Sequence, residues 1–157
     1  MDIIKQAQHY DAVEIRALIL DAVKPEDNED FNEEGKINFL QPNSVDLIEK
    51  RIEDNDYLML CYIKERKIVG LITLYKYEKL DQLFVHPDSR NMKVATKLWR
   101  AAKEICARNG NKGKYWTKSS TLAVNVYKSF GFKMDGDKMK QNGITYYPMI
   151  LKTDIGN

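Results

Sequence analysis

Three consecutive strand-like segments between Tyr57 and Val85 constrain the fold of this chain more than any other feature of its sequence. They are YLMLCYI, KIVGLITLYKY and KLDQLFV, and short polar connections such as KERK join them. Apolar and aromatic runs joined by such short turns predict an antiparallel meander. The last segment ends before Pro87, which has no N–H to donate to a sheet ladder.

A strand and two helices are predicted before the meander. DIIKQA alternates weakly, as a strand does, and HYDAVEIRALILDAV has the spacing of an amphipathic helix. That helix is expected to carry an apolar face made of Val13, Ala17, Leu18 and Leu20. A second helix begins near PNSVDLIEKRIEDN, where either Asn43 or Ser44 would cap it. Between them, six acidic residues from Glu26 to Glu34 predict a mobile loop or a short solvated helix.

Beyond the meander the pattern becomes helical again. We expect a helix from near Lys93 to the stop at Asn109 and Gly110, a short strand in KGKYWTK, a helix in STLAVNVYKSF that ends at Gly131, and a closing hairpin around DKMKQNG. This order predicts an α/β (α+β) fold with a mixed, mostly antiparallel sheet of about seven strands and helices on both faces. A length of 157 residues with 43% hydrophobic content fits one domain over residues 1–157.

Composition excludes several classes of protein. No run of about 18 apolar residues occurs and the first residues lack the apolar centre of a signal peptide, so we expect a cytoplasmic protein without a membrane partner. The net charge of +2 and the lack of a basic helix with interleaved aromatics argue against a nucleic-acid partner. Cys61 and Cys106 are expected to be reduced core thiols, since a disulfide framework or a metal site needs more ligands at close spacing.

Charge is distributed unevenly along the chain. Residues 1–78 hold 10 basic and 17 acidic residues, a net charge of −7, whereas residues 79–157 hold 15 and 6, a net charge of +9. The two halves could face differently charged ligands, or the charges could be scattered over a solvated surface.

The stretch VHPDSRNMKVATKLW predicts a strand end, a polar turn and a helix start. The N–H groups at such a helix start favour an anion, because they have no acceptors inside the helix and lie at the positive end of its dipole. Phosphate loops usually contain glycine here, and this stretch has none. Lys93 is expected to have a helical φ, which needs no glycine. An ordinary helix capped by Asp88 or Ser89 remains the alternative.

Two motifs in this half resemble those of the GNAT family, the GCN5-related N-acetyltransferases. A strand with a V-x-P turn leads into [Q/R]-x-x-G-x-[G/A] in that family, and the matching residues here run from Arg90 to Ala95. The family's later Y-x-x-x-G-F pattern falls on residues 127–132, and NGITYYPMIL is similar to the family's last strand. The specific motifs occupy about residues 80–132, while the order of elements agrees over nearly the whole chain.

The resemblance implies a GNAT-like fold that uses acetyl-CoA as the acetyl donor, without a metal. The pyrophosphate would lie on the helix-start N–H groups. The pantetheine arm would pair with the third strand of the meander, where that strand separates from the next strand near Trp116. Ser120 would replace an asparagine that reaches this arm in the family. The implied cofactor-binding residues are Leu83, Phe84, Val85, Arg90, Asn91, Met92, Lys93, Val94, Ala95, Thr96, Ser120 and Tyr127.

Acetyl transfer to an amine needs a base, an oxyanion donor and an acid for the leaving thiolate. The resemblance assigns the acid to Tyr127, the donor to the N–H of Val85 and the base to Asp81, with Glu78 or a water chain as alternatives. His86, in the turn before Pro87, is expected to be exposed to solvent.

The resulting prediction is an N-acetyltransferase acting on a primary amine by direct transfer in a ternary complex. The alternative is a non-catalytic acyl-CoA-binding regulatory module. The acidic segment from Glu26 to Glu34 makes a cationic acceptor one hypothesis and a solvated loop the other. A monomer and a homodimer are both open, and the final strand ITYYPMIL could pair across a dimer.

Overall fold

A computed structural model describes residues 2–90 and 93–153. The helices are α1 (Ala12–Val23), α2 (Glu33–Leu40), α3 (Val45–Glu53), α4 (Val94–Arg108) and α5 (Val124–Ser129). The strands are β1 (Ile3–Gln6), β2 (Tyr57–Lys64), β3 (Lys67–Tyr75), β4 (Lys79–Val85), β5 (Lys114–Ser119), β6 (Lys133–Met134), β7 (Met139–Gln141) and β8 (Ile144–Lys152). Short 3-10 turns cover Pro25–Asp27 and Pro87–Ser89.

The strands form one mixed sheet in the order β1-β2-β3-β4-β5-β8-β6, and β7 pairs with β8 beside β6. Every pair is antiparallel except β4–β5, which is parallel. The predicted meander is therefore confirmed as β2, β3 and β4. Over the described ranges the sheet has eight strands, and not about seven, because the expected closing hairpin contains an additional short strand, β7.

Helices cover both faces of the sheet, as predicted. One core cluster joins α4 and α5 to the sheet through Leu98, Trp99 and Tyr127, and the other packs α1 and α3 against the opposite face. Cys61 and Cys106 are free and buried in these clusters, so the expected core thiols are confirmed. Within the described residues, no helix combines the length and apolar character needed to cross a bilayer.

The predicted apolar face of α1 is partly wrong. The buried residues are Ala12, Ile15, Leu18 and Ile19, whereas Val13 is 68% exposed and Ala17 is also exposed. The helix begins at Ala12, so Ala12, Ile15 and Ile19, three or four residues apart, define the stripe that faces the sheet. Val13 lies outside this stripe.

The acidic segment contains the start of a helix, which agrees with the second of its two predicted alternatives, although the helix continues beyond the segment to Leu40. Helix α2 begins at Glu33, and the side chain of Asn32 caps it by accepting the N–H of Gly35 at 2.9 Å. Gly35 therefore lies in the first turn of this helix. For α3, the cap is Ser44, whose hydroxyl oxygen accepts the N–H of Leu47 at 3.3 Å.

Strand β8 is not available for pairing across a dimer. Its residues 147–152 pair with β5 on one edge, and β6 and β7 occupy the other edge between Ile144 and Ile150. Both edges of the final strand are therefore used within the chain, and the prediction that ITYYPMIL could pair with a second copy is wrong.

A β-bulge in β4 determines where the sheet opens. Thr73 of β3 pairs with Gln82 and Leu74 pairs with Leu80, which leaves Asp81 as the extra residue. A bulge bends its strand and interrupts the ladder. The parallel pairing of β4 with β5 accordingly stops at Leu80 and Thr117, and the rest of β4 separates from β5.

Candidate functional site

A cavity of about 530 Å³ lies at the opening between β4 and β5. The segments 28–39 and 141–146 also contribute to its walls. Eight of the predicted site residues line it: Asp81, Leu83, Phe84, Val85, Arg90, Ala95, Ser120 and Tyr127. Residues predicted to act on the cofactor and residues predicted to act on the acceptor are thus brought to one cavity.

The other five predicted residues do not line the cavity or are not described. Lys93 and Thr96 are outside the lining, and the side chain of Val94 is buried in the core. Asn91 and Met92 lie outside the residues that the structure describes.

The backbone of β4 presents hydrogen-bonding groups to the opening. The N–H of His86 donates to the carbonyl of Val69 on β3 at 2.8 Å. Because successive residues of a strand point their N–H and C=O groups to opposite edges, those of Val85 and Leu83 face away from β3. The backbone of Phe84 faces β3, while its side chain lines the cavity. Leu83 and Val85 are therefore the residues able to pair with an extended ligand.

The first turn of α4 offers a second set of donors. The N–H of Lys97 makes the first intrahelical bond, to the carbonyl of Lys93 at 3.0 Å, so the N–H groups of residues 94–96 have no acceptor within the helix. No acidic residue occurs in this turn, although acids stabilise most helix starts. The turn is suited to an anion.

The prediction that Lys93 has a helical φ is wrong. Lys93 is the N-cap residue of α4 with φ 59° and ψ 24°, which is the left-handed region. The right-handed helix begins at Val94, and Lys93, the residue before it, has the positive φ of the left-handed region. The left-handed region costs an L-residue roughly 1–2 kcal/mol and costs glycine almost nothing. The position therefore favours the glycine that this chain lacks.

We expect Lys93→Gly to change the KM for acetyl-CoA far more than kcat, because the substitution alters the approach to the helix start and leaves the cavity lining intact. It should also stabilise the fold by up to about 1 kcal/mol, since relief of the left-handed strain exceeds the added freedom of the unfolded chain. Thermal unfolding and acetyl-CoA kinetics measure the two effects.

Lys24→Gly is the matched control, because Lys24 is a left-handed lysine, with φ 49°, at the end of α1. It should raise the Tm without changing the KM. An unchanged KM in Lys93→Gly would mean that the Lys93 side chain neither hinders nor helps cofactor binding.

Arg90 connects two elements beside the cavity. Its guanidinium donates to the carbonyl of Ala22 in α1 at 2.8 Å and to that of Val85 in β4 at 3.3 Å. Both acceptors are neutral, so they do not cancel the positive charge of Arg90, which lines the same cavity as Ala95 in the first turn of α4. Ser120 accepts the N–H of Ala123 at 3.2 Å, and its hydroxyl proton remains available as a donor.

Tyr127 lies in α5 with its side chain 5% exposed, and it lines the cavity while packing against Phe130 and Phe132. Burial raises its pKa well above the usual tyrosine range, the hydroxyl of Thr117 opposes the shift, and the charge of Asp81 adds to it. The α5 helix ends where Gly131 has φ 101°, which confirms the predicted stop. Tyr127 is therefore both a core residue and a protonated group at the cavity.

Asp81 lies at the bulge, and its carboxylate is 3.1 Å from the ammonium of Lys79. Glu78 is exposed and does not line the cavity, so of the two candidate bases only Asp81 lies where an amine in the cavity could reach it. His86 accepts the N–H of Asp88 at 3.2 Å and lies 3.7 Å from Asp21, outside the cavity lining.

The acidic segment contributes one carboxylate to the cavity, and that carboxylate has partners. Asp30 is buried and accepts the N–H of Thr121 at 2.9 Å and its hydroxyl at 2.6 Å. Glu26 and Glu33 pair with Lys36 outside the cavity, with Nζ–O distances of 3.2 Å and 2.9 Å. The arrangement gives no support to an acidic loop that attracts a cationic acceptor.

A series of buried hydrogen bonds, which the sequence analysis did not predict, connects β3 and β4 to the end of α2 beside the cavity. Thr73 donates to Gln82 at 3.0 Å, Gln82 donates to Asn43 at 3.0 Å, and Asn43 donates to the carbonyl of Phe39 at 2.8 Å. The polar Gln82 within an apolar strand was the available signal. Through these hydrogen bonds, Gln82 of β4 holds the end of α2 next to the cavity. Among the described residues, no group of three or more metal-ligating side chains is present.

Solved structures with the same fold include three acetyltransferases. A GCN5-related N-acetyltransferase from Rhodopseudomonas palustris has a TM-score of 0.82 at 18% identity, covering 98% of this chain and 96% of that one. PaiA N-acetyltransferase from Thermoplasma acidophilum, in complex with coenzyme A, has 0.81 at 16%, covering 98% and 99%. The ribosomal-protein-S18-alanine N-acetyltransferase from Escherichia coli has 0.70 at 15%, covering 100% and 97%.

Sequence comparison identifies the family. No curated protein matches the chain by sequence. The sequence profile of the acetyltransferase (GNAT) domain matches residues 27–153, which is most of the chain and includes β4, α4 and α5. Together with the fold, this match shows that the chain belongs to the GNAT family of acetyltransferases.

Proposed function

We propose that this chain is an N-acetyltransferase that moves the acetyl group of acetyl-CoA to a primary amine by direct transfer in a ternary complex. The opening between β4 and β5 carries the proposal, because Leu83, Val85, Asp81 and Tyr127 all line the cavity there. One cavity thus contains the groups suited to an extended cofactor arm and those suited to proton transfer.

The chain's polar groups fit acetyl-CoA, which would supply an activated thioester. The N–H groups of residues 94–96 and the charge of Arg90 suit a pyrophosphate. The outward-facing N–H and C=O groups of Leu83 suit an amide arm that pairs as an extra strand, and the carbonyl of Val85 can accept a second hydrogen bond beside that from Arg90. Ser120, on the facing loop, offers a further donor.

Transfer to an amine assigns three tasks to the cavity. The N–H of Val85 would stabilise the negative charge that develops on the acyl oxygen. Asp81, directly or through water, would accept the proton of the ammonium group, because only the neutral amine is nucleophilic. Tyr127 would donate a proton to the departing thiolate, and its raised pKa keeps the donor protonated.

Direct transfer is supported by the position of the two cysteines. Cys61 and Cys106 are both fully buried, and neither lines the cavity. Burial raises the pKa of each thiol to about 12, so the nucleophilic thiolate is scarce at neutral pH. A covalent acetyl-cysteine step therefore has no suitable nucleophile at this site.

The test combines calorimetric titration with acetyl-CoA and an assay of coenzyme A thiol release on a panel of amines. We expect binding, amine-dependent release, and intersecting initial-velocity lines when both substrates are varied. Parallel lines would contradict the ternary complex. Binding without release on any amine would support the non-catalytic acyl-CoA-binding module instead.

A further inference from the structure

Among the residues that the structure describes, four charged side chains line the cavity, and they differ in what they face. They are Asp30, Asp81, Arg90 and Lys118. Asp30 is held by Thr121, Asp81 pairs with Lys79, and Arg90 donates to two backbone carbonyls beside the cofactor groups. Lys118 is the charged residue of this set whose role the proposed reaction does not account for.

Lys118 extends from β5, across the opening from Asp81. Its ammonium donates to the side-chain oxygen of Gln141 at 2.8 Å and lies 5.1 Å from the ring centre of Tyr146. Both partners are neutral and both line the cavity. Within the described residues no carboxylate lies at ion-pair distance from Lys118, and an ammonium has two further N–H donors. The site is thus suited to an anionic group of the acceptor.

The opposite part of the lining is apolar and aromatic. Phe31 stacks on Phe39 with ring centres 5.1 Å apart, and Phe39 meets Phe84 edge-on at 6.4 Å. All three rings line the cavity, together with Ile144. Contacts between the rings hold this wall in place, and it offers an apolar surface to the body of a small molecule.

We propose that the acceptor is a small amine that also carries a carboxylate and an apolar body, as an apolar amino acid does. Lys118 binds the carboxylate, the aromatic wall of Phe31, Phe39 and Phe84 contacts the apolar body, and Asp81 faces the amine. This inference rests on the proposed acetyl transfer and specifies its acceptor. It replaces the cationic acceptor, because the one carboxylate that the acidic segment places in the cavity is already bound by Thr121.

Matched pairs of amines with and without a carboxylate test the inference. Suitable pairs are L-phenylalanine with phenethylamine, L-leucine with isopentylamine, and 6-aminohexanoate with hexylamine, with putrescine as a dication. In the wild type, we expect kcat/KM for at least one carboxylate member to exceed that of its partner by about tenfold, the effect of one charge-assisted hydrogen bond. Lys118→Met should bring the ratio to about one by raising the KM for the carboxylate member.

Lys114→Met is the matched control, because Lys114 is exposed on the same strand and lies outside the cavity lining. It should leave the ratio unchanged. Equal values within every pair, a preference for putrescine, or a ratio that survives Lys118→Met would overturn the inference while leaving acetyl transfer intact. If no amine supports thiol release, the proposed function fails and the inference fails with it.

Discussion

Replacing Tyr127 with phenylalanine is expected to lower kcat by a factor on the order of 100 or more, the usual contribution of a positioned acid. The KM for acetyl-CoA should stay within about twofold, because the aromatic ring remains. The ring keeps its contacts with Phe130 and Phe132, at centre distances of 6.2 Å and 5.6 Å. Thr117 keeps its own bond to the carbonyl of Leu80 at 2.7 Å, so no buried hydroxyl is left without a partner.

The pH dependence of the wild type gives a second measurement. Burial raises the pKa of Tyr127, so the acid stays protonated through the alkaline range in which an exposed tyrosine would ionise. We therefore expect no loss of kcat between pH 8 and about 10 from ionisation of this residue. A fall in kcat over that range that disappears in Tyr127→Phe would contradict the buried, protonated state.

Tyr115→Phe is the matched control for the loss of a buried hydroxyl. Tyr115 is 2% exposed, packs edge-on against Trp99 at 5.0 Å, and has a pKa raised to about 12 by burial, but it does not line the cavity. Its substitution should leave kcat unchanged. Equal losses in the two variants would show that the effect comes from packing and would remove Tyr127 from proton transfer.

The parts of this site that sequence predicts depend on local signals. The resemblance to the family's Y-x-x-x-G-F pattern singles out Tyr127, and the glycine of that pattern, Gly131 with φ 101°, follows the end of its helix. The end of β4 is similarly local, since Pro87 cannot continue the ladder. The conformation of Lys93 could not be predicted in this way. A glycine in the sequence usually indicates a left-handed backbone position, but here a lysine occupies that position.

The parts that sequence does not predict depend on residues distant in the chain. Asp30 meets Thr121, 91 positions away, and Lys118 meets Gln141, 23 positions away. Exposed and buried residues alternate along KYWTKS in β5, which places Lys118 on the exposed side of the strand. The strand pattern does not show which residues its side chain contacts. The bulge at Asp81 shifts the register by one residue, and the apolar pattern of the strand does not reveal it.

Gly35→Ala is expected to destabilise the fold and to impair the acceptor side of the cavity. A Cβ on Gly35 would lie 2.7 Å from the carbonyl carbon of Gly143 and overlap its oxygen, so backbone must move. This approach holds α2 against the β7–β8 turn, where Asn32 donates to Gly143 at 3.1 Å and Asn38 donates to Asn142 at 2.9 Å.

Two opposing effects set the size of this change. Overpacking against backbone costs about 1–3 kcal/mol or more, and alanine regains up to about 1 kcal/mol of helix propensity. We expect a net loss of about 2 kcal/mol, which lowers the Tm by roughly 4–8 °C for a chain of this size. Because the adjoining Phe31 and Phe39 line the cavity, the KM for the amine should rise several-fold while the KM for acetyl-CoA changes little.

Gly110→Ala separates stability from the acceptor effect. Gly110 follows α4 with φ 97°, and a Cβ there meets nothing within 4 Å, so alanine adds backbone strain without steric overlap and away from the cavity. It should lower the Tm without changing either KM. If Gly35→Ala lowers the Tm and leaves the amine KM unchanged, the docking of α2 stabilises the fold without shaping acceptor binding. An unchanged Tm in Gly35→Ala would contradict the close approach of Gly35 and Gly143 itself.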